Sequence, residues 1–469
     1  VDVLIRPFYL ACLAHASYLL ADERTRTAVV VDPQRDVDEY ISEARRLGVE
    51  IRHVMLTHFH ADFVAGHLEL RDRCGATVHL GAQAKADYKF SPLRDGARLE
   101  WGSLGIGVLE TPGHTPEGVT LLIYDLDADT RSPKAALTGD TLFIGDVGRP
   151  DLMASIGHSA GELAGQLYES LTTKLLALPD ATLVYPAHGA GSMCGKALSN
   201  ERVSTIGEQR RYNYALKARS RKEFVRLVTA DQGEAPAYFA HDADMNRRER
   251  PTLDANLPAA LKTVTAAEGE ALARAGAQVL DVRDPTDFSG AHWRGAINIG
   301  LDGKFATWAG TLLDRSRPAL LIAETGRERE AVTRLARIGF DHVAGVLAGG
   351  MAGLVARPDL VAETPRATAL ALSELLASPS APVVVDVRTE AERAEGFVPG
   401  SLHLPLSQWP RRMAEVPTGR PIAVYCAGGY RSSIAASLLR AVGHPDVTDM
   451  IGGFAAWREE VPPRGGDGS

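Results

Sequence analysis

The stretch that decides the first half of the chain is Leu56-Thr57-His58-Phe59-His60-Ala61-Asp62-Phe63-Val64-Ala65-Gly66-His67. An apolar run, HVMLTH, ends in H-x-H-x-D, so two imidazoles and a carboxylate share one short turn after a strand. That arrangement presents hard and borderline ligands to a divalent metal. Three further pieces follow: Pro112-Gly113-His114-Thr115-Pro116, Thr138-Gly139-Asp140 and Tyr185-Pro186-Ala187-His188. Each alone is weak, because a lone buried histidine is more often a hydrogen-bonded core residue. Each closes a short apolar strand, however (GVLETPGH, AALTGD, TLVYPAHG), and together they predict an α/β fold with a metal site along one sheet edge.

The whole chain has 469 residues, enough for about three domains. A net charge of −8 argues against nucleic acid or an anionic membrane as partner. No apolar run approaches the length that spans a bilayer, and the N-terminal VDVLIRPFYLACLAHASYLL reads as strands, not as a signal peptide. The four cysteines, Cys12, Cys74, Cys194 and Cys426, are too few for a disulfide framework and predict free thiols in a reducing cytoplasm. Cys12 and Cys74 read as core packing; the other two stand in glycine-rich loops.

The metal pieces resemble the metallo-β-lactamase superfamily, nearest its glyoxalase II and persulfide dioxygenase branches, over roughly residues 1–230. The resemblance implies an αββα sandwich with the metal at the edge between the two sheets. The superfamily pattern is H-x-H-x-D-H, and here Phe63 replaces the last imidazole, which removes one ligand of a second metal. A mononuclear centre follows. By motif matching, the persulfide dioxygenases imply one Fe(II) per chain, held by His58, His114 and Asp140 as a facial triad with open positions. His60, Asp62 and His188 then either orient ligands and substrate by hydrogen bonding or contribute one of their number to the metal. Oxidising a sulfane sulfur with O2 needs a redox-active metal, which zinc is not. Cys194, in the loop GAGSMCG directly after His188, matches the same branch as a thiol near the iron, against a plain reading as a buried turn residue. Arg149, in GDVGRPDL with Asp151, reads as either a structural or a substrate-anion contact.

The second half repeats. LDVRDPTDFSGAHWRGAINIGL from Leu280 resembles VDVRTEAERAEGFVPGSLHLPL from Val385, and GFDHVAGVLAGGMAGL from Gly339 echoes GHPDVTDMIGGFAAW from Gly443. A period of about 105 residues fits two tandem copies of one α/β domain. In the last copy, a strand ends in Val424-Tyr425-Cys426-Ala427-Gly428-Gly429-Tyr430-Arg431-Ser432-Ser433, and a helix begins. Loop amides, the helix dipole and Arg431 favour a thiolate at Cys426, and Gly428, Gly429 and Ser432 cradle a persulfide or sulfite. This C-x-x-G-x-R-S loop resembles single-domain rhodaneses; phosphatase loops are one residue longer, C-x5-R. The middle copy reads LLIAETGRERE from Leu320, with Glu324, Gly326 and Arg327 in the loop and no cysteine, so it is expected to be a scaffold or docking surface.

The expected organisation is a metallo-β-lactamase-fold domain over 1–250, an inactive rhodanese-like domain over 258–360 and a working rhodanese domain over 365–469. The polar stretch from about Ala230 to Pro258 reads as the end of the first domain plus a linker. The resemblance implies small-molecule partners (a thiol persulfide, O2 and sulfite), a homo-oligomer, and a role in sulfide detoxification. Two rivals stand: a glyoxalase II-like zinc thioesterase with an appended rhodanese, and a non-catalytic sulfur carrier.

Overall fold

The computed structural model describes residues 3–152, 157, 159–196, 198–230, 232–233 and 235–462. Two compact units divide the chain. The first is Val1–Ala255 with Ala336–Gly339, and the second is Asn256–Leu335 with Phe340–Ser469.

In the first unit, β1 (Leu4–Leu10), β2 (His15–Asp22), β3 (Thr27–Val31), β4 (Glu50–Met55), β5 (Thr77–Gly81) and β6 (Ser91–Leu93) form one sheet in sequence order. A second sheet has the order β12-β11-β10-β9-β8-β7, from β7 (Arg98–Trp101), β8 (Leu104–Glu110), β9 (Val119–Asp125), β10 (Ala135–Gly139), β11 (Leu183–Pro186) and β12 (Ser204–Thr205). Alternate residues of the two sheets meet in one core. Tyr18, Leu20, Val29 and Val31 face Ile106, Val108, Leu121 and Ile123. The opposite face of the second sheet carries Val184 into a separate cluster with Leu167 and Leu171 of the helical layer and with Phe224. β3 (TAVVV) is buried along its whole length, and the parallel strand β4 beside it is buried at its C-terminal end, Val54 and Met55, next to the metal loop. The result is the expected αββα sandwich.

The second unit holds two five-stranded, parallel-paired sheets of like order. One runs β13-β18-β17-β14-β16, from β13 (Thr263–Val264), β14 (Gln278–Asp281), β16 (Ile297–Asn298), β17 (Ala319–Ile322) and β18 (Val343–Leu347), with β15 (His292–Trp293) pairing separately to β19 (Val361–Ala362). The other runs β20-β24-β23-β21-β22, from β20 (Arg366–Ala367), β21 (Val383–Asp386), β22 (Leu402–His403), β23 (Ile422–Tyr425) and β24 (Val447–Met450). The copies touch through the helix Tyr430–Ala441: Ser433 Oγ donates to Asn298 Oδ1 at 2.8 Å, Ser437 Oγ accepts from Asn298 N at 2.9 Å, and Tyr430 OH donates to Gly300 O at 2.7 Å.

Part of the stretch expected to be linker is helical and packed. The helix Phe239–Arg247 buries Asp242 and Asn246, and Arg250 beyond it is buried against Glu69. Among the described residues, no helix is long and apolar enough to cross a membrane.

Candidate metal centre and sulfur-carrying loop

The strand ends bring His58, His114 and Asp140 together, all buried, with one ligand atom from each inside a single 4.8 Å cluster. Asp140 Oδ2 lies 3.7 Å from His58 Nε2 and 3.4 Å from His114 Nε2. The outer ring nitrogens are fixed. His58 Nδ1 donates to Thr57 Oγ1 at 2.9 Å, whose own proton goes to Asp32 Oδ2 at 2.8 Å, and His114 Nδ1 donates to Arg149 O at 2.9 Å. Both Nε2 lone pairs therefore point at Asp140, the tautomer a metal needs. Burial, followed by the neighbouring His60, holds His58 well below the usual imidazole range and so neutral. Burial would raise Asp140, but the surrounding imidazoles, His188 first, hold it well below the usual carboxylate range. Two imidazole nitrogens whose ring partners are already engaged and one carboxylate oxygen converge, a donor set that fits a divalent transition metal.

His60, Asp62 and His188 form a second cluster. His188 lies between two carboxylates, with Nδ1 2.8 Å from Asp140 Oδ1 and Nε2 3.0 Å from Asp62 Oδ2. Burial lowers its pKa, but Asp140 and then Asp62 outweigh that and push it well up. Through Nδ1, His188 orients Asp140. His60 Nε2 likewise lies 3.1 Å from Asp32 Oδ1. Phe63, where the superfamily has a ligand, packs its ring, tilted, with its centroid 4.4 Å from that of His60 and 4.2 Å from that of His15.

Cys194 is buried, and its Sγ clusters with Asp140 and His188. Burial, with Asp62 and Asp140 nearby, pushes the thiol well up. Arg149 directs its guanidinium to Asp151 at 2.6 Å, Gly233 O at 2.6 Å and Met193 O at 3.3 Å, while its backbone N–H donates to Cys194 O at 3.0 Å. Arg149 thus ties the Cys194 loop to the His114 loop. Gly148 just before it is forced to be glycine, because a Cβ there would come within 1.9 Å of Asp140 O.

Sequence reasoning missed four contributors. Asp32 takes φ 50, a left-handed conformation that a non-glycine residue adopts at a cost of about 1–2 kcal/mol, and anchors both Thr57 and His60. Glu117 accepts from Phe59 N at 3.0 Å. Asn246 clamps the metal loop, donating to His60 O and Phe63 O and accepting from Ala65 N, each at 2.8 Å. His15, beside Phe63, is buried with Nε2 unpartnered. Only Asp32, a strand-terminal Asp in VVVDP, left a signal of the kind that revealed the ligands.

In the last rhodanese copy, Cys426 follows β23 and is buried; its Sγ accepts from Gly429 N at 3.0 Å and lies 3.6 Å from Ser432 Oγ. Gly429 at φ 111 caps the helix and turns the amides toward sulfur. Gly428 has open space where a Cβ would stand. Arg431 pairs through both terminal nitrogens with Glu392, 2.8 and 2.5 Å away, and this pairing holds Glu392 down to about 2. In the middle copy, Ile322 pairs with Asp281 as Tyr425 pairs with Asp386, so Ala323 stands where Cys426 does. The backbone there is kept: a Cβ on Gly350 would meet Ala323 O at 2.7 Å, and one on Gly453 would meet Cys426 O at 2.3 Å.

Comparison with known proteins agrees with this fold. The metallo-beta-lactamase superfamily model matches residues 10–188, and the rhodanese-like domain model matches 265–357 and 368–460. The chain belongs to the metallo-β-lactamase superfamily and carries two rhodanese-like domains behind that fold. Within it, the chain is 30% identical over 230 residues to the Bos taurus protein named persulfide dioxygenase ETHE1, mitochondrial, covering 48% of this chain and 80% of that one. A probable metallo-hydrolase of Burkholderia pseudomallei is 29% identical over 268 residues, 50% of this chain and 88% of that one. A crystal structure of a metallo-beta-lactamase from Staphylococcus aureus subsp. aureus COL aligns with a TM-score of 0.66 at 29% identity, over 74% of this chain and 99% of that one.

Proposed function

We propose that the chain is a cytoplasmic, homo-oligomeric persulfide dioxygenase coupled to a thiosulfate-forming sulfurtransferase, acting in sulfide detoxification. The observation that carries the reading is the convergence of His58 Nε2, His114 Nε2 and Asp140 Oδ2 beside a phenyl ring in place of the superfamily's further imidazole. These three residues would hold one Fe(II), which when bound supplies the redox couple that makes O2 reactive toward sulfur. The first reaction balances as RSSH + O2 + H2O giving RSH, sulfite and two protons. Asp140 is kept ionised by His188, Thr57 keeps His58 in the ligating tautomer, and Arg149 keeps His114 so. Cys194 sits close enough to handle persulfide sulfur at the centre.

In the second reaction, the Cys426 thiolate takes the terminal sulfur of another RSSH and releases RSH. Sulfite then attacks that sulfur, the S–S bond to Cys426 breaks, and thiosulfate leaves with the thiolate restored. Gly429 N–H stabilises the thiolate, and Arg431 carries positive charge at the loop for the arriving anion.

Purified protein is expected to hold one iron per chain and to consume O2 with a thiol persulfide, and Asp140→Ala to lose both. Zinc content with thioester hydrolysis would establish the thioesterase instead. Sulfur loading of Cys426 without O2 uptake would leave only a carrier.

A further inference from the structure

The middle copy keeps the fold of its neighbour without the thiol: the buried ion pair Asp281–Arg283 corresponds to Asp386–Arg388, and Gly350 to Gly453. It also holds the first residue of the helix that starts at the sulfur loop. Tyr430 stands directly after Gly429, whose N–H donates to Cys426 Sγ at 3.0 Å. The Tyr430 side chain leaves its own copy and lies on the middle copy's turn 300–303, where the phenol donates to Gly300 O at 2.7 Å.

Two features of that turn suit the ring. A Cβ on Gly303 would come within 2.4 Å of Tyr430 Cζ and 2.5 Å of Cε2. The φ of Gly303 is outside the left-handed region, so the backbone there does not call for glycine; the neighbouring ring does. In the last copy the same turn follows matching bonds, Leu404 N to Asp386 O and Leu406 N to Val387 O, as Ile299 N to Asp281 O and Leu301 N to Val282 O in the middle one. Gln408 stands there at the place of Gly303. The second feature is Arg327, which follows Ala323 by four residues as Tyr430 follows Cys426. It pairs with Asp302 through both terminal nitrogens, each at 2.9 Å. The loop without a cysteine thus braces the turn that receives the ring.

We infer that Tyr430 is a positioning residue for the Cys426 thiol, and that turn 300–303 of the middle copy is the seat that fixes it. The inference rests on Cys426 being the sulfur-carrying thiol. Gly428 and Gly429 give the loop little stiffness of its own. A ring held beyond them limits how far the Gly429 N–H can swing from the sulfur. Ser433 and Ser437, both bonded to Asn298, hold the following turns of the same helix. A hydrogen bond to the thiolate favours it over the thiol, so losing that bond raises the thiol's pKa. Displacing Tyr430 leaves every nearby charge in place: Asp302 with Arg327, Arg334 on Leu301 O, and Arg431 with Glu392.

The test is the pH midpoint of Cys426 alkylation by iodoacetamide in the full chain, resolved by peptide mass spectrometry. Tyr430→Ala is expected to raise the midpoint by about one pH unit. Tyr430→Phe, which keeps the ring in its seat, is expected to raise it less. Gly303→Ala, made in the other copy, is expected to raise it as well, but not in a Tyr430→Ala background, where no ring meets the new methyl. A wild-type midpoint in either Tyr430→Ala or Gly303→Ala would overturn the inference. So would an equal Gly303→Ala shift with and without the ring, or equal shifts for Tyr430→Phe and Tyr430→Ala. Should Gly303→Ala not fold, the two Tyr430 variants decide alone. The readout needs no turnover, so a protein that makes no thiosulfate still upholds or overturns the inference.

Discussion

Two copies of one domain, side by side in the second unit, differ where a helix begins. In the last copy the helix Tyr430–Ala441 has no acidic residue in its first turn, and Arg431 stands there. In the middle copy the helix Glu328–Arg337 opens with Glu328 and Glu330, and Arg327 pairs with Asp302 and Glu330. Glu328 occupies the place of Arg431, so the charge is reversed at the position that faces the loop. A helix N-terminus stabilises one negative charge nearby. The middle copy supplies it from its own carboxylates, while the last copy leaves it to the sulfur. The comparison teaches that fold and chemistry separate cleanly here. Sheet order, the Asp–Arg pair and the glycine turn persist, and the thiol and its electrostatic surroundings have gone together.

The largest effect tests that separation directly. Cys426→Ser is expected to lower sulfurtransferase activity at least about a thousandfold while O2 uptake continues, with sulfite replacing thiosulfate as product. Thiosulfate as the main product, once the chemical reaction of sulfite with persulfide is subtracted, would break it. Next, Arg431→Glu, which gives the last copy the middle copy's charge, should cost about a hundredfold in sulfur transfer with the fold intact by circular dichroism. Retained activity would mean that the charge reversal is incidental.

A smaller effect concerns stability. Asp449 on β24, raised by burial from 3.8 to about 6, is charged at neutral pH at a cost to the fold, where the middle copy, in matching strand pairing, has Val346. A raised carboxyl contributes stability that is fully present below its unfolded pKa and lost as pH rises through its folded one. Asp449→Asn should therefore raise the urea midpoint at pH 8 by the equivalent of about 2 kcal/mol, with the gain shrinking through pH 6 and vanishing near pH 4. A gain that does not vary with pH would contradict this. The smallest effect is expected from Ala323→Cys: no measurable sulfurtransferase activity in a Cys426→Ser background, because Glu328 and Glu330 disfavour a thiolate there. Restored transfer would show that only the sulfur atom had been lost.

How much of this was legible in the sequence follows from where each partner lies. His58, His114, Asp140 and His188 close apolar strands, so the motif and the strand announce each other. The repeat was legible because Asp-Val-Arg and Gly-Gly recur in both copies at matched positions. Asn246 was not legible, for it clamps a loop more than 180 residues upstream, from a segment whose polarity reads as solvent-facing. Polar residues are mostly exposed, and HDADMNRRER turns Asp242, Asn246 and Arg250 inward instead. Asp449 was hidden for the same reason, as one acid in a short strand whose ion-pair partner, Arg366, comes from another strand.

The hydrogen bonds that join Ser433 and Ser437 to Asn298, and Tyr430 to Gly300, bear on how such a chain can shorten over generations. A deletion of the thiol-free copy would uncover two hydroxyl-bearing turns and one phenol on the helix that begins at the sulfur loop, and would leave their backbone and amide partners missing. The last copy would then need new surface substitutions before it could persist alone. Losing a catalytic cysteine takes one codon, whereas losing the domain that carried it takes several compensating changes, and that asymmetry gives a domain without its own thiol a reason to be inherited.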